Sequence, residues 1–248
     1  HAAEKSFMMG EAFSEIGEYG KAIAAYERAA YDFGINLFSE DAAYSAVMAY
    51  RKQIEAETDE WQRNELMRKR LETQLLFVDN FSFSPYAKPV LFDSIDMLYN
   101  EKDYERVVDQ AGRFFELKPE GTNKEKLAVH LVLGHSYFEM SLFDMSEKSY
   151  LSAKSLMEPT DNKSITEVTD RVAASIYRNA ETMVAEERQL EAVDEFLRVA
   201  SVAPQSQFRK NADYDAATYL LVAEQWQRAL DVLLDYRNRY DVQRVDLD

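Results

Sequence analysis

Apolar side chains recur every three or four residues through nearly the whole chain. That spacing marks one face of an α-helix and excludes the strict alternation of a half-buried strand. Short polar stretches divide the pattern into paired segments. One pair holds Met9, Phe13, Ala22, Tyr26 and Ala29, and another holds Leu133, Tyr137, Ser146, Tyr150 and Ala153. Weaker pairs run through Leu91, Leu98, Val107, Ala111 and Phe114, then through Ile176, Ala180, Ala192, Phe196 and Val199, then through Ala217, Leu220, Ala229 and Leu233. A sixth pair is split. Tyr44 to Tyr50 forms its first helix, Phe77 to Pro85 ends its second, and the polar, helix-favouring stretch from Glu55 to Arg70 lengthens one or both. The pattern predicts about twelve helices in six hairpins, an all-α chain.

The two strongest pairs agree in detail. From Gly10 and from Gly134 the next ring stands three residues on (Phe13, Tyr137), a small residue twelve on (Ala22, Ser146) and a second ring sixteen on (Tyr26, Tyr150). Two antiparallel helices approach closely only where a small side chain lets them, and a ring then fills the space beside it. Phe13 and Tyr137 are assigned that space, while Tyr26 and Tyr150 are expected to pack towards the next hairpin. Pro119, Pro159 and Pro204 follow second helices, where Pro stops a helix. The anchors Ala22, Thr73, Val107, Ser146, Ala192 and Ala229 are spaced by roughly 41 residues on average, longer than a strict 34-residue period.

This pattern resembles the tetratricopeptide repeat, Leu-Gly-x2-Tyr followed by Ala-x3-Phe and a closing Pro. The resemblance implies a right-handed α-solenoid of about six hairpins, a single superhelical domain over 1–248 with a concave face lined by first helices. Soft points are expected at 120–123 and 159–163, where Gly, Pro, Asn and Asp gather. Ser84-Pro85-Tyr86-Ala87, after Phe77-Val78-Asp79-Asn80-Phe81, and Pro204-Gln205-Ser206 are similar to junctions in bacterial envelope proteins of this type. These are the outer-membrane assembly lipoproteins, the Tol–Pal-associated coordinators and exopolysaccharide-export arrays. That likeness implies a periplasmic location, with the cytoplasm as the alternative. The opening at His1 inside a helical pattern suggests a segment of a longer protein.

Composition narrows the function. Cysteine is absent, which removes disulfides, thiolate metal sites and a cysteine nucleophile. The formal charge of −16 opposes nucleic acid and anionic lipid, and no apolar run is long enough to span a membrane. No glycine-rich phosphate loop occurs. His130 and His135, five apart, do not share a helix face, and acidic pairs arise freely among 45 Asp and Glu. The reading is a non-enzyme without metal or cofactor.

The family architecture implies a binding surface. The residue three before the small position of each first helix points into the groove, and here these are Phe7, Tyr44, Phe92, Leu131, Tyr177 and Tyr214. One turn further stand Glu11, Met48, Asp96, His135, Glu181 and Thr218. An aromatic and acidic groove suits a protein segment with apolar anchors and Lys or Arg between them. The opposing reading buries the rings as packing. The carboxylate clamp of chaperone-binding repeats is missing, since Phe7, Glu11, Tyr44 and Met48 occupy its places. Two further expectations concern edges. Arg51, Lys52, Arg63, Arg68, Lys69 and Arg70 form a basic cluster interleaved with Glu and close to Trp61, and Leu230, Leu233, Leu234 and Tyr236 leave a final apolar face suited to self-association. The alternative function is a regulatory solenoid that binds a saccharide or small ligand.

Overall fold

The computed structural model describes residues 1–240. Among them twelve α-helices form six hairpins: α1 (Ala2–Glu15) with α2 (Tyr19–Tyr31), α3 (Ser39–Ala56) with α4 (Glu60–Asn80), α5 (Ala87–Asn100) with α6 (Tyr104–Glu116), α7 (Asn123–Glu139) with α8 (Phe143–Ser155), α9 (Asn162–Ala185) with α10 (Gln189–Val202), and α11 (Phe208–Val222) with α12 (Trp226–Tyr240). The described residues contain no strand. Unit 1 comprises His1–Gly121 and unit 2 Thr122–Asp248, so the division falls at Gly121, inside the Gly- and Asn-containing soft point. Unit 2 opens on a reciprocal cap. The Glu125 amide donates to Thr122 Oγ1 at 3.2 Å, and the Thr122 amide donates to Glu125 Oε2 at 2.7 Å.

Five of the six hairpins turn in the same way. The second residue after the first helix takes the left-handed conformation: Gly17, Lys102, Ser141, Glu187 and Glu224 have φ of 79°, 62°, 59°, 63° and 57°. The next amide then bonds back five residues, as Glu18 to the Phe13 carbonyl at 2.9 Å and Arg188 to the Met183 carbonyl at 2.9 Å. The α3–α4 hairpin differs. Glu57 stays extended, and Asp59 caps α4 by accepting from the Gln62 amide at 2.8 Å. The polar stretch 55–70 thus supplies the end of α3 and the first half of a 21-residue α4.

Helices approach tightly at two of the glycines, Gly10 and Gly134. A Cβ on Gly10 would stand 2.5 Å from the Tyr26 ring, and one on Gly134 would stand 2.6 Å from Tyr150. Tyr26 and Tyr150 cluster with the next hairpin as expected and also lie across the glycine of their own, the space assigned from the sequence to Phe13 and Tyr137. Ser146 completes the second site, with Oγ 2.8 Å from the Gly134 carbonyl and 2.9 Å from Ser175 Oγ. Polar locks join neighbouring helices elsewhere. In unit 2 Arg198 makes two bonds, of 2.7 and 2.6 Å, to the buried Glu147 carboxylate. In unit 1 Asp93 accepts from Arg70 at 2.5 Å and from Gln74.

Glu27 in unit 1 is a less comfortable member of such a network. It accepts from the Tyr50 hydroxyl at 3.3 Å and the Thr73 hydroxyl at 3.4 Å. Desolvation nevertheless outweighs these bonds and lifts its carboxyl above the ordinary 4.5. A raised carboxyl favours the folded state while protonated, and that contribution fades as pH rises past about 4.5. Glu27→Gln keeps an acceptor for both hydroxyls without the charge. The variant is expected to be more stable than the parent at pH 7 and to lose that advantage at pH 4, as read from urea midpoints at the two pH values.

Candidate functional site

A ring stands at the entry to three first helices. Asn36-Leu37-Phe38, Ser84-Pro85-Tyr86 and Ser206-Gln207-Phe208 share one local geometry. The Phe38 amide donates to Asn36 Oδ1 at 2.9 Å, the Tyr86 amide to Ser84 Oγ at 3.1 Å and the Phe208 amide to Ser206 Oγ at 3.3 Å. Such side-chain turns hold the chain at helix entry. Each ring then meets the column residue of the preceding first helix. Phe38 lies 5.8 Å from Phe7, Tyr86 is stacked 4.0 Å from Tyr44, and Phe208 lies 6.1 Å from Tyr177.

The column proposed from the sequence is therefore mostly packed. Phe7, Tyr44, Phe92 and Tyr177 are half-buried, with Phe92 also 6.1 Å from Phe114. The Tyr177 hydroxyl donates to Asp215 Oδ2 at 2.6 Å, and burial together with that bond raises its pKa. Glu181 pairs with Arg178 at 2.7 Å. Tyr214 is 56% exposed, although its ring lies 6.1 Å from Tyr236. Phe7, Tyr44 and Phe92 belong to unit 1, while Leu131, His135, Tyr177, Glu181 and Tyr214 belong to unit 2.

Within unit 2 the α8–α9 junction breaks the ring pattern. Phe38, Tyr86 and Phe208 each stand six residues before a column residue, and the corresponding position before Tyr177 is Arg171. No aromatic residue occurs from Leu156 to Ser175. A cleft of about 860 Å³ lies at this junction. Its apolar lining includes Leu127 and Leu131 of α7, Leu156 and Met157 after α8, Val168 of α9 and Phe208 of α11. Around these stand Glu158, Asp161, Glu167 and Asp170, against Lys124 and Arg171. Four carboxylates outnumber two cations, so the rim carries negative charge.

Leu131 of the column and His135 one turn further are the sequence-proposed residues that the structure brings into this cleft. The His135 ring meets Tyr150 edge-on at 5.4 Å. Burial and then the Arg171 guanidinium lower its pKa below the ordinary 6.5, with a partial opposite pull from Glu139, so the imidazole is neutral at pH 7. His130 is likewise pushed down by burial. Among the described residues no three His, Asp or Glu side chains converge in a metal-holding group, and no helix is long and apolar enough to cross a membrane. The cleft residues outside the column, Arg171 and Phe208 above all, were missed from sequence. The signal was present as an aromatic six residues ahead of the column position, kept at Phe208 and lost at Arg171.

The edge features resolve locally. Three members of the basic cluster are ion-paired: Arg51 with Glu55 at 3.1 Å on α3, and on α4 Arg68 with Glu65 at 3.7 Å and Arg70 with Asp93. The exposed pairs Arg51–Glu55 and Arg68–Glu65 contribute little. Trp61 is 75% exposed. On α12, Leu230 and Leu234 are 49% and 39% exposed, while the Tyr236 ring packs 4.8 Å from Tyr240.

No protein-family model and no curated protein matches the chain. Solved structures do. A MamA structure labelled MSR-1 aligns over 82% of this chain and 97% of its own at 15% identity, with a TM-score of 0.41. A thermophilic TPR protein of Thermus thermophilus aligns over 89% and 100% at 18% identity, with a TM-score of 0.32. PilF of Pseudomonas aeruginosa aligns over 97% and 93% at 15% identity, with a TM-score of 0.34.

Proposed function

We propose that the chain is a non-catalytic protein-interaction scaffold whose unit 2 cleft holds a segment of another protein with apolar anchors and Lys or Arg beside them. The observation that carries this reading is the cleft between α7 and α9, apolar within and acidic at its rim. Binding sites of several hundred Å³ are mostly apolar with a few charged groups that fix orientation. Charge complementarity then selects a basic partner and speeds its encounter. A saccharide would require convergent polar groups on the floor, where this cleft presents Leu131, Leu156, Met157 and Val168. The further reading, a place in a bacterial envelope assembly, is supported by the likeness of the 84–87 and 204–206 junctions and by the absence of cysteine.

Leu131→Arg places a cation on the floor without touching the core glycine, and Tyr214→Ala removes the exposed ring of the column. Tyr177 is left intact, because its bond to Asp215 makes it part of the packing. Affinity capture from a bacterial extract is expected to recover a partner with the parent chain, to lose it with Leu131→Arg and to weaken at high salt. If Leu131→Arg retains its circular dichroism and every captured partner, the cleft is not the binding site.

A further inference from the structure

We infer that the partner segment supplies the ring that the α8–α9 junction lacks, so the cleft selects an aromatic side chain with a Lys or Arg within two residues of it. This rests on the cleft being the binding site. Three junctions of this chain show what a first-helix column residue takes as its neighbour: Phe38 on Phe7, Tyr86 on Tyr44 and Phe208 on Tyr177, at centroid separations of 5.8, 4.0 and 6.1 Å. At the α8–α9 junction Leu131 faces the cleft, and the register that holds a ring at those three junctions holds the exposed Arg171. An incoming ring would find aliphatic contacts at Leu131 and Met157 and a guanidinium at Arg171 able to lie over its face.

Two of these three junctions also show a sequence that such a segment could have, whereas Phe38 is followed by Ser39 and Glu40. Tyr86 is followed two residues later by Lys88, and Phe208 immediately by Arg209. Lys88 Nζ donates to the carbonyls of Phe114 and Leu117 at 2.8 Å each and sits 4.6 Å from the Phe114 ring. Arg209 donates to the Pro204 carbonyl at 3.2 Å and pairs with Asp213 at 3.4 Å. In both cases the ring meets the preceding first helix, while the neighbouring cation is held by groups of its own hairpin or of the turn that leads into it. Around the open seat the carboxylates are Glu158, Asp161, Glu167 and Asp170. A partner that carries an aromatic next to a basic residue would repeat the chain's internal junction in trans.

The test is selection of a random twelve-residue peptide display library on the whole chain, with Arg171→Tyr as the counter-target. Arg171→Tyr restores the internal ring and is expected to fold, as judged by circular dichroism and its urea midpoint. Peptides that bind the parent and not Arg171→Tyr are expected to be enriched in Phe, Tyr or Trp with Lys or Arg within two residues. Ala in place of that aromatic is expected to weaken a selected peptide at least tenfold, and Leu several-fold. Selected basic peptides that depend on Leu131 but hold no preference for aromatics would overturn the ring inference and leave the cleft assignment standing. Selection of no peptide sensitive to either Leu131→Arg or Arg171→Tyr would overturn both. Should Arg171→Tyr fail to fold, Leu131→Trp serves as the filled-seat counter-target with the same outcomes.

Discussion

Phe196→Ala is expected to destabilise unit 2 by about 3–5 kcal/mol, the range for removing a fully buried ring from a core. Phe196 is 1% exposed and lies in the cluster that also holds Val172, Ile176, Val193, Leu220 and Ala229. Its ring stands 5.2 Å from Tyr177 and stacks 6.2 Å from Tyr219, so the truncation strips contacts from α9 and α11 together. Interiors are packed as densely as organic crystals, and a cavity of this size closes only partly. Amide hydrogen exchange across α9, α10 and α11 reads the loss locally, alongside the urea midpoint. A cost under about 1 kcal/mol would mean that the ring is not enclosed as described.

The second large effect concerns glycine, where one substitution has opposite signs at two positions. Gly134→Ala is expected to cost about 1–3 kcal/mol, because the added methyl would stand 2.6 Å from Tyr150 Cε1 and force either the ring or α8 outward. Gly112→Ala, in the interior of α6 with nothing within 4 Å of the new carbon, is expected to stabilise by about 0.5–1 kcal/mol through helix propensity alone. A double variant, Gly134→Ala with Tyr150→Leu, should be less unstable than the two single costs added. Only groups in contact show such coupling. Strict additivity in the double variant would separate the glycine from the ring.

The Gly134 effect bears on the site as well as on stability. Tyr150 is both the ring over Gly134 and part of the cleft lining. A change at Gly134 therefore alters the cleft floor without contacting a ligand. Binding lost through Gly134→Ala would report a displaced floor; binding lost through Leu131→Arg reports the floor itself.

Much of the molecule was legible in the sequence. The three- and four-residue apolar period determined twelve helices, because a helix that packs on one side must repeat its apolar positions at that interval. The intervals from Gly10 to Tyr26 and from Gly134 to Tyr150 marked two tight helix contacts, since only glycine leaves room for a ring at that point. The extended second hairpin was visible in the polar stretch 55–70. Tertiary structure alone decided which rings of the column remain available. The repeat resemblance implies equivalent faces for Phe7, Tyr44, Phe92, Leu131, Tyr177 and Tyr214, but it cannot say what arrives from the following hairpin to cover each one. Phe38, Tyr86 and Phe208 lie 31, 42 and 31 residues beyond the rings they meet, in separate helices, and their absence at Arg171 opens the cleft. Local periodicity is set within one helix by backbone geometry, whereas exposure is set by contacts between helices, and those become fixed only when the hairpins stack.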